Sequence, residues 1–138
     1  MAMPEHLKTG ARGEQLAARY LRDHGYIIYA GGFSTPLGET DIIAQDKDGT
    51  FCFVEVKTRA PGGMLPPAEA VDTEKQKRLL NNAAAFIKHE RITDADIRFD
   101  IIEVILHDLI KHDVNHIKNA FGQGEVFAPK SGNSEAKR

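Results

Sequence analysis

Phe51-Cys52-Phe53-Val54-Glu55-Val56-Lys57-Thr58-Arg59 is the stretch that decides the fold. Its aromatic and β-branched start has the composition of a buried strand, yet a carboxylate and an ammonium follow two residues apart. Strand side chains alternate between faces, so Glu55 and Lys57 emerge on one side of a sheet. Charges there are costly unless they pair, bind a metal or act on a substrate. Upstream, Gly38-Glu39-Thr40-Asp41-Ile42-Ile43-Ala44 offers a second strand that also carries acids.

The two strands, predicted over Glu39–Gln45 and Thr50–Thr58, are joined around Asp46-Lys47-Asp48-Gly49, and counting tests whether their acids meet. A four-residue loop pairs Gln45 with Thr50 and sets Asp41 against Val54, which puts Asp41 and Glu55 on opposite faces. A three-residue loop pairs Asp46 with Thr50, so that Asp41 faces Glu55 and Glu39 faces Lys57. Three-residue hairpins favour a type I turn followed by a left-handed residue, a place suited to Gly49. That register is the favoured one, and a bulge elsewhere in the hairpin would serve equally.

Asp41 and Glu55 side by side repel as anions, each raising the other's cost of ionisation. A divalent cation removes the conflict. Mg²⁺ or Mn²⁺ suits it, since Mg²⁺ takes carboxylate oxygens while keeping waters that a phosphate can displace. Such an ion polarises a scissile phosphate and lowers the pKa of water. Lys57 is then placed to hold an attacking water or to stabilise the charge of the transition state. The main-chain carbonyl of Val56 is a candidate further ligand, and Glu14 a candidate auxiliary acid acting through a water.

Glu14 belongs to a helix predicted over Leu7–His24, where Ala17, Ala18 and Leu21 follow it at i+3, i+4 and i+7 and Gly25 closes the end. An acid complementing the helix dipole explains Glu14 equally well. Tyr26–Ala30 reads as a short strand, followed by a loop punctuated by Gly31-Gly32 and Pro36-Leu37-Gly38. Arg59 to Pro67 reads as a mobile loop beside the site. A second helix starts near Thr73, with Thr73 and Gln76 at capping-box spacing, and ends near Glu90 or Arg91. Ile97–Leu106 is the next strand, Val114–Phe121 an edge strand, and the polar stretch 122–138 a disordered tail.

The second helix carries Lys75, Lys77, Arg78 and Lys88, with Arg91 at its end. Lys75 and Arg78 are the preferred phosphate contacts, although a solvated basic face is an equally good explanation. Arg59, at the end of its strand, suits bidentate phosphate binding, and a surface arginine without a role suits the position too. Arg98 and Asp100 share a strand face and read as a structural pair. His107, His112 and His116 lack the spacing or thiol partners of a zinc site and are expected at the surface.

At 138 residues the chain fits one domain, expected over 1–121. No apolar run approaches the ~20 residues that span a bilayer, and the N-terminal residues lack the apolar core of a signal peptide. Cys52, the single cysteine, has no disulfide partner within the chain; it suits a reducing cytoplasm and a packing role. A net charge of -2 and a pI near 6.3 neither support nor exclude a nucleic-acid partner, because catalytic acids offset a local basic face.

Asp41 followed by Glu55-Val56-Lys57 resembles the PD-(D/E)XK nuclease signature. Gly13-Glu14, the Gly38–Ala44 and Phe53–Arg59 stretches, Lys75 and Arg98-Phe99-Asp100 together resemble the bacterial YraN-like (UPF0102) family of predicted endonucleases, over about residues 10–121. The resemblance implies an α/β fold with a restriction-endonuclease-like core, a mixed β-sheet flanked by helices, related to archaeal Holliday junction resolvases. It also implies Asp41 and Glu55 as metal ligands, Lys57 as the catalytic lysine and Glu14 as an auxiliary acid. The expected activity is hydrolysis of phosphodiester bonds in branched or structured DNA, and a homodimer follows by analogy only. The alternative is a binding module on the same fold, holding nucleic acid or a protein partner without turnover. Two departures stand out. Thr40 replaces the isoleucine usual in the family's Gly-Glu-Ile-Asp and should point away from the acids, and Gly31–Pro36 lacks the Asn and Arg often found there.

Overall fold

A computed structural model describes residues 5–62 and 71–122, with side chains from Gly10 onward. The tail expected beyond Gly122, and residues 63–67 of the loop expected after Arg59, lie outside the described residues. The elements run α1 (Glu5–Asp23), β1 (Ile27–Thr35), β2 (Gly38–Gln45), β3 (Phe51–Arg59), α2 (Thr73–His89), β4 (Ile97–Leu106) and β5 (His112–Phe121).

The first helix stops where the sequence says it should. Gly25 adopts φ 89°, which an L side chain resists, and the Tyr26 N–H turns back to the Leu21 carbonyl at 3.0 Å. The strand that follows is longer than expected. Gly31 and Gly32 do not open a loop, because β1 continues to Thr35 along β2, with a register shift between Ile28 and Ala30. Antiparallel pairing over Gly31↔Ile42 to Thr35↔Gly38 outweighs the poor strand propensity of glycine, and a tight turn at Pro36-Leu37 replaces the loop.

Between β2 and β3 the pairs are Gln45↔Phe51, Ala44↔Cys52, Ile43↔Phe53 and Ile42↔Val54. This is the three-residue register. The Asp46 N–H meets the Thr50 carbonyl at 2.9 Å, and Gly49 takes φ 92°.

From β3 the chain crosses through α2 to β4, which lies parallel to β3, and β5 then returns antiparallel. The helix cap differs in detail from the expected box. Asp72, not Thr73, is the N-cap, its carboxylate accepting from the Lys75 N–H at 2.9 Å; the Gln76 side chain donates to the Val71 carbonyl instead.

The result is an α/β fold, a mixed five-stranded sheet in the order β1-β2-β3-β4-β5 with a helix on each face, consistent with the expected restriction-endonuclease-like core. Ala17 and Leu21 of α1 pack on Ile42, Cys52, Val54 and Ile102, while Leu79 and Phe86 of α2 pack on Phe53, Phe99 and Ile101. Cys52 is fully buried and unpaired by disulfide, as its packing role requires.

Arg98 and Asp100 form the pair expected of them, Nε lying 3.0 and 3.2 Å from the two carboxylate oxygens. The guanidinium also reaches Asp46 at 2.9 Å and the Tyr26 hydroxyl at 2.6 Å. His116 is the correction. It is not a surface histidine but a buried one, its Nε2 2.8 Å from Asp100. Burial alone would raise the Asp100 carboxyl, but bonds from His116, Arg98 and the Asn119 N–H outweigh it and hold the group below its ordinary range.

Candidate active site

Regular pairing of β2 with β3 ends at Ile42–Val54, one step short of Asp41 and Glu55. The Val56 N–H donates to the Asp41 carboxylate at 2.8 Å, so a side chain takes a ladder donor and ties Asp41 beside the Glu-x-Lys strand. Glu39, Asp41 and Glu55 form one wall of a cleft of about 190 Å³; Lys75, Arg78 and Leu79 of α2 form the other.

Glu55 is only 5% exposed, a severe position for a carboxylate. Two ammonium groups compensate. Lys75 Nζ stands 2.5 Å from Glu55 Oε2, and Lys57 Nζ stands 3.7 Å from the same oxygen. Burial and the neighbouring Lys75 charge push the Lys57 ammonium below its ordinary range. For Lys75 burial acts in the same direction, but the bond and charge of Glu55 outweigh it and raise its pKa. For Asp41 the relief from Lys75 is too small. Burial first and the Glu55 charge second push its carboxyl up to about 7, against the Val56 hydrogen bond.

The place of Glu14 depends on its neighbour. A Cβ on Gly13 would fall 1.9 Å from the Thr58 hydroxyl oxygen, so a glycine here lets α1 touch β3. Glu14 then feels the site, its carboxyl raised by burial and by the charges of Glu39 and Glu55. Glu14 thus senses the acids of both strands, and Asp41 senses Glu14 and Glu55. Among the described residues, no group of three or more acids, histidines or cysteines stands ready-made as a metal cage. The donor chemistry nonetheless fits a divalent cation, since hard carboxylate oxygens gathered in a largely buried cleft gain most from one.

Not every expected contact converges. Arg78 lines the cleft but also lies 3.6 Å from Glu74, whereas Arg59 is turned to Glu103 at 3.3 Å. Lys57 flanks Glu55 without lining the cleft. Two contributors were not singled out as site residues. Glu39 lines the cleft, and its spacing of two from Asp41 on a strand is the signal that finds it. Asn82 is fully buried; its amide donates to the Phe33 carbonyl at 3.0 Å and to the Thr40 hydroxyl at 2.9 Å, and accepts from Thr35 at 2.7 Å. Its signal is an amide on the Leu79-Ala83-Phe86 face of the helix. Thr40 is engaged there and is absent from the cleft lining.

A mixed sheet carrying an acid on one strand and Glu-x-Lys on the next defines an α/β protein of the restriction-endonuclease-like class. Within it, the chain belongs to the family described as "Uncharacterised protein family UPF0102", whose model matches residues 13–104. It is 46% identical over 116 residues to a "UPF0102 protein" of Alkaliphilus oremlandii, covering 83% of this chain and 97% of that one. A "UPF0102 protein" of Koribacter versatilis is 42% identical over 120 residues, covering 86% of this chain and 82% of that one. One from Caldanaerobacter subterraneus is 43% identical over 115 residues, covering 82% and 93%. Among the described residues no helix is long and apolar enough to cross a membrane.

Proposed function

We propose that the protein is a metal-dependent endonuclease that hydrolyses phosphodiester bonds in nucleic acid, with branched or structured DNA as its substrate. One observation carries the reading: Asp41 is tied to the Val56 N–H at 2.8 Å beside a buried Glu55 that draws two lysines. Asp41, Glu55 and the Val56 carbonyl are the groups that would hold Mg²⁺ or Mn²⁺. When bound, the ion supplies Lewis-acid polarisation of the phosphate and acidifies water.

The remaining roles belong to side chains. Lys57, its ammonium weakened by burial and by Lys75, orients the attacking water and compensates charge gathering on the phosphorus oxygens. Glu14, raised toward protonation, holds a water on the α1 side. Lys75 and Arg78 face the cleft and take phosphate oxygens, whereas Arg59, turned to Glu103, would have to leave that partner to join them. Paired cuts in a branched substrate call for a homodimer, and a single buried thiol suits work in a reducing cytoplasm. In the test, Asp41→Ala abolishes metal-dependent cleavage while the fold persists; wild-type rates in a folded variant contradict the reading.

A second reading is a binding module without turnover. The 2.5 Å contact of Lys75 with Glu55 favours it, because the acid is already compensated within the chain. In that case removing Asp41 changes thermal stability with Mg²⁺ and leaves no activity to lose.

A further inference from the structure

The apolar tip between β4 and β5 presents Leu109 and Ile110 at 90% and 88% exposure, the most exposed large hydrophobic side chains among the described residues. The turn beneath them is tightly held. Its His107 N–H meets the Lys111 carbonyl at 2.9 Å, and the Asp108 carboxylate accepts from the N–H groups of Ile110 and Lys111 at 2.8 and 2.7 Å. From α1, the Arg12 guanidinium donates to the Asp108 and Leu109 carbonyls at 3.1 and 2.7 Å. An ordinary surface turn gains nothing from two adjacent aliphatic side chains in water. Both gain from being taken out of water by a partner.

The tip lies at the end of the sheet where the candidate site lies. Strands β3 and β4 run parallel with Lys57 opposite Glu103 and Arg59 opposite Ile105, so β4 leaves the sheet at the Lys57 end. Arg12, which holds the tip, directly precedes Gly13 and Glu14, where α1 meets Thr58. The tip is therefore joined through α1 to Glu14, while Asp41 and Glu55 line the cleft on the α2 face at the same end of the sheet. Leu109 is six residues past Glu103, and at ~3.3 Å per residue this places it at most ~20 Å beyond the level of Lys57. That reach equals about six base steps of ~3.4 Å.

We propose that Leu109 and Ile110 form an apolar wedge that enters nucleic acid at a break in base stacking, such as a branch point, and so places the cleft on the flanking duplex. The proposal rests on the nuclease reading and adds to it the feature of the substrate that is recognised. Aliphatic side chains inserted between base steps are an established way of unstacking them, and unstacking costs least where pairing is already interrupted. A protein partner fits less well. A stable interface buries about 800 Å² on each side, whereas this patch is two side chains bounded by Asp108 and Lys111.

The test uses the full chain and its Leu109→Ser/Ile110→Ser double variant, whose melting temperature should be unchanged because both positions are exposed. Four-way and flapped DNA carry 2-aminopurine at the branch, and binding is read in EDTA so that no cleavage is needed. Wild type raises the 2-aminopurine fluorescence; the variant does not, and it binds branched DNA about tenfold less tightly while its weak affinity for linear duplex is unchanged. With Mg²⁺, incision falls within about six nucleotides of the branch. Equal fluorescence and affinity for the two proteins overturn the wedge and leave the nuclease reading standing. Tip-dependent unstacking without cleavage supports the wedge and removes the nuclease reading. Absence of branched-DNA binding by wild type, or a variant that changes only the oligomeric state in sedimentation, overturns the wedge as well.

Discussion

The ammonium of Lys75, on α2, stands 2.5 Å from a carboxylate oxygen of Glu55, on β3. The acid of the Glu-x-Lys strand therefore leans on a cation from a helix twenty residues downstream (75 against 55), more closely than on Lys57 at 3.7 Å. The charge balance of the cleft depends on how α2 is seated, and Asn82 helps to seat it.

Lys75→Met should destabilise the fold. Removing one partner of a well-buried pair costs about 3–5 kcal/mol; with the Lys75 side chain a third exposed, about 1–3 kcal/mol is expected. Mg²⁺ should raise the melting temperature of the variant more than that of wild type, since a cation then meets Glu55 with no lysine to displace. Equal shifts in the two proteins contradict this role.

The Asp41 carboxyl predicts a pH effect in metal-free buffer. Its ordinary value is 3.8, and burial with the Glu55 charge pushes it up to about 7 in the folded chain. The folded state thus binds this proton more tightly than the unfolded state. Asp41 weighs progressively against the fold as pH rises from about 4 to about 7, and fully above that. Asp41→Asn keeps an oxygen for the Val56 N–H without the charge. Urea unfolding in EDTA should show the variant losing less stability than wild type between about pH 5 and about pH 8. Parallel profiles contradict the assignment.

Gly13→Ala isolates the contact that brings Glu14 to the site. Alanine favours a helix by about 1 kcal/mol over glycine, but its Cβ would collide with Thr58 at 1.9 Å. Net destabilisation of about 1–2 kcal/mol is expected, with part of it recovered by Thr58→Ala, in which only the more distant Thr58 Cβ contact at 3.0 Å remains. A Gly13→Ala protein more stable than wild type contradicts the close approach.

Cys52 should be inert in the native protein. It is fully buried, and burial, followed by the Asp100 charge, pushes its thiol up to about 12. A thiol reagent at about pH 8 should label it only on unfolding. Rapid native labelling contradicts the packing.

Much of this was legible because it is local. The position of Gly49 selects the hairpin register, and that register carries Asp41 toward Glu55. Two faces of apolar residues on Ile97–Leu106 announce the two core layers that α1 and α2 cover. What escaped depends on partners far along the chain. Gly31-Gly32 resembles a loop until β2 supplies a paired strand. His116 looks like a surface histidine until Asp100, sixteen residues away, receives it. Asp72 displaces Thr73 as the cap by a single position, within the usual uncertainty of helix ends. The Lys75–Glu55 contact needs the crossover of α2 and has no signature in spacing.

On the proposed function, Asp41 and Glu55 make this cleft a site of metal-dependent phosphodiester hydrolysis. The most direct measurement is cleavage of labelled single-stranded, duplex, flapped and four-way DNA in Mg²⁺, Mn²⁺ or EDTA, beside a folded Glu55→Ala protein. Cutting of the branched substrates should require the metal and disappear in the variant. Metal-independent cutting, undiminished cutting by Glu55→Ala, or no cutting of any substrate by wild type would contradict it.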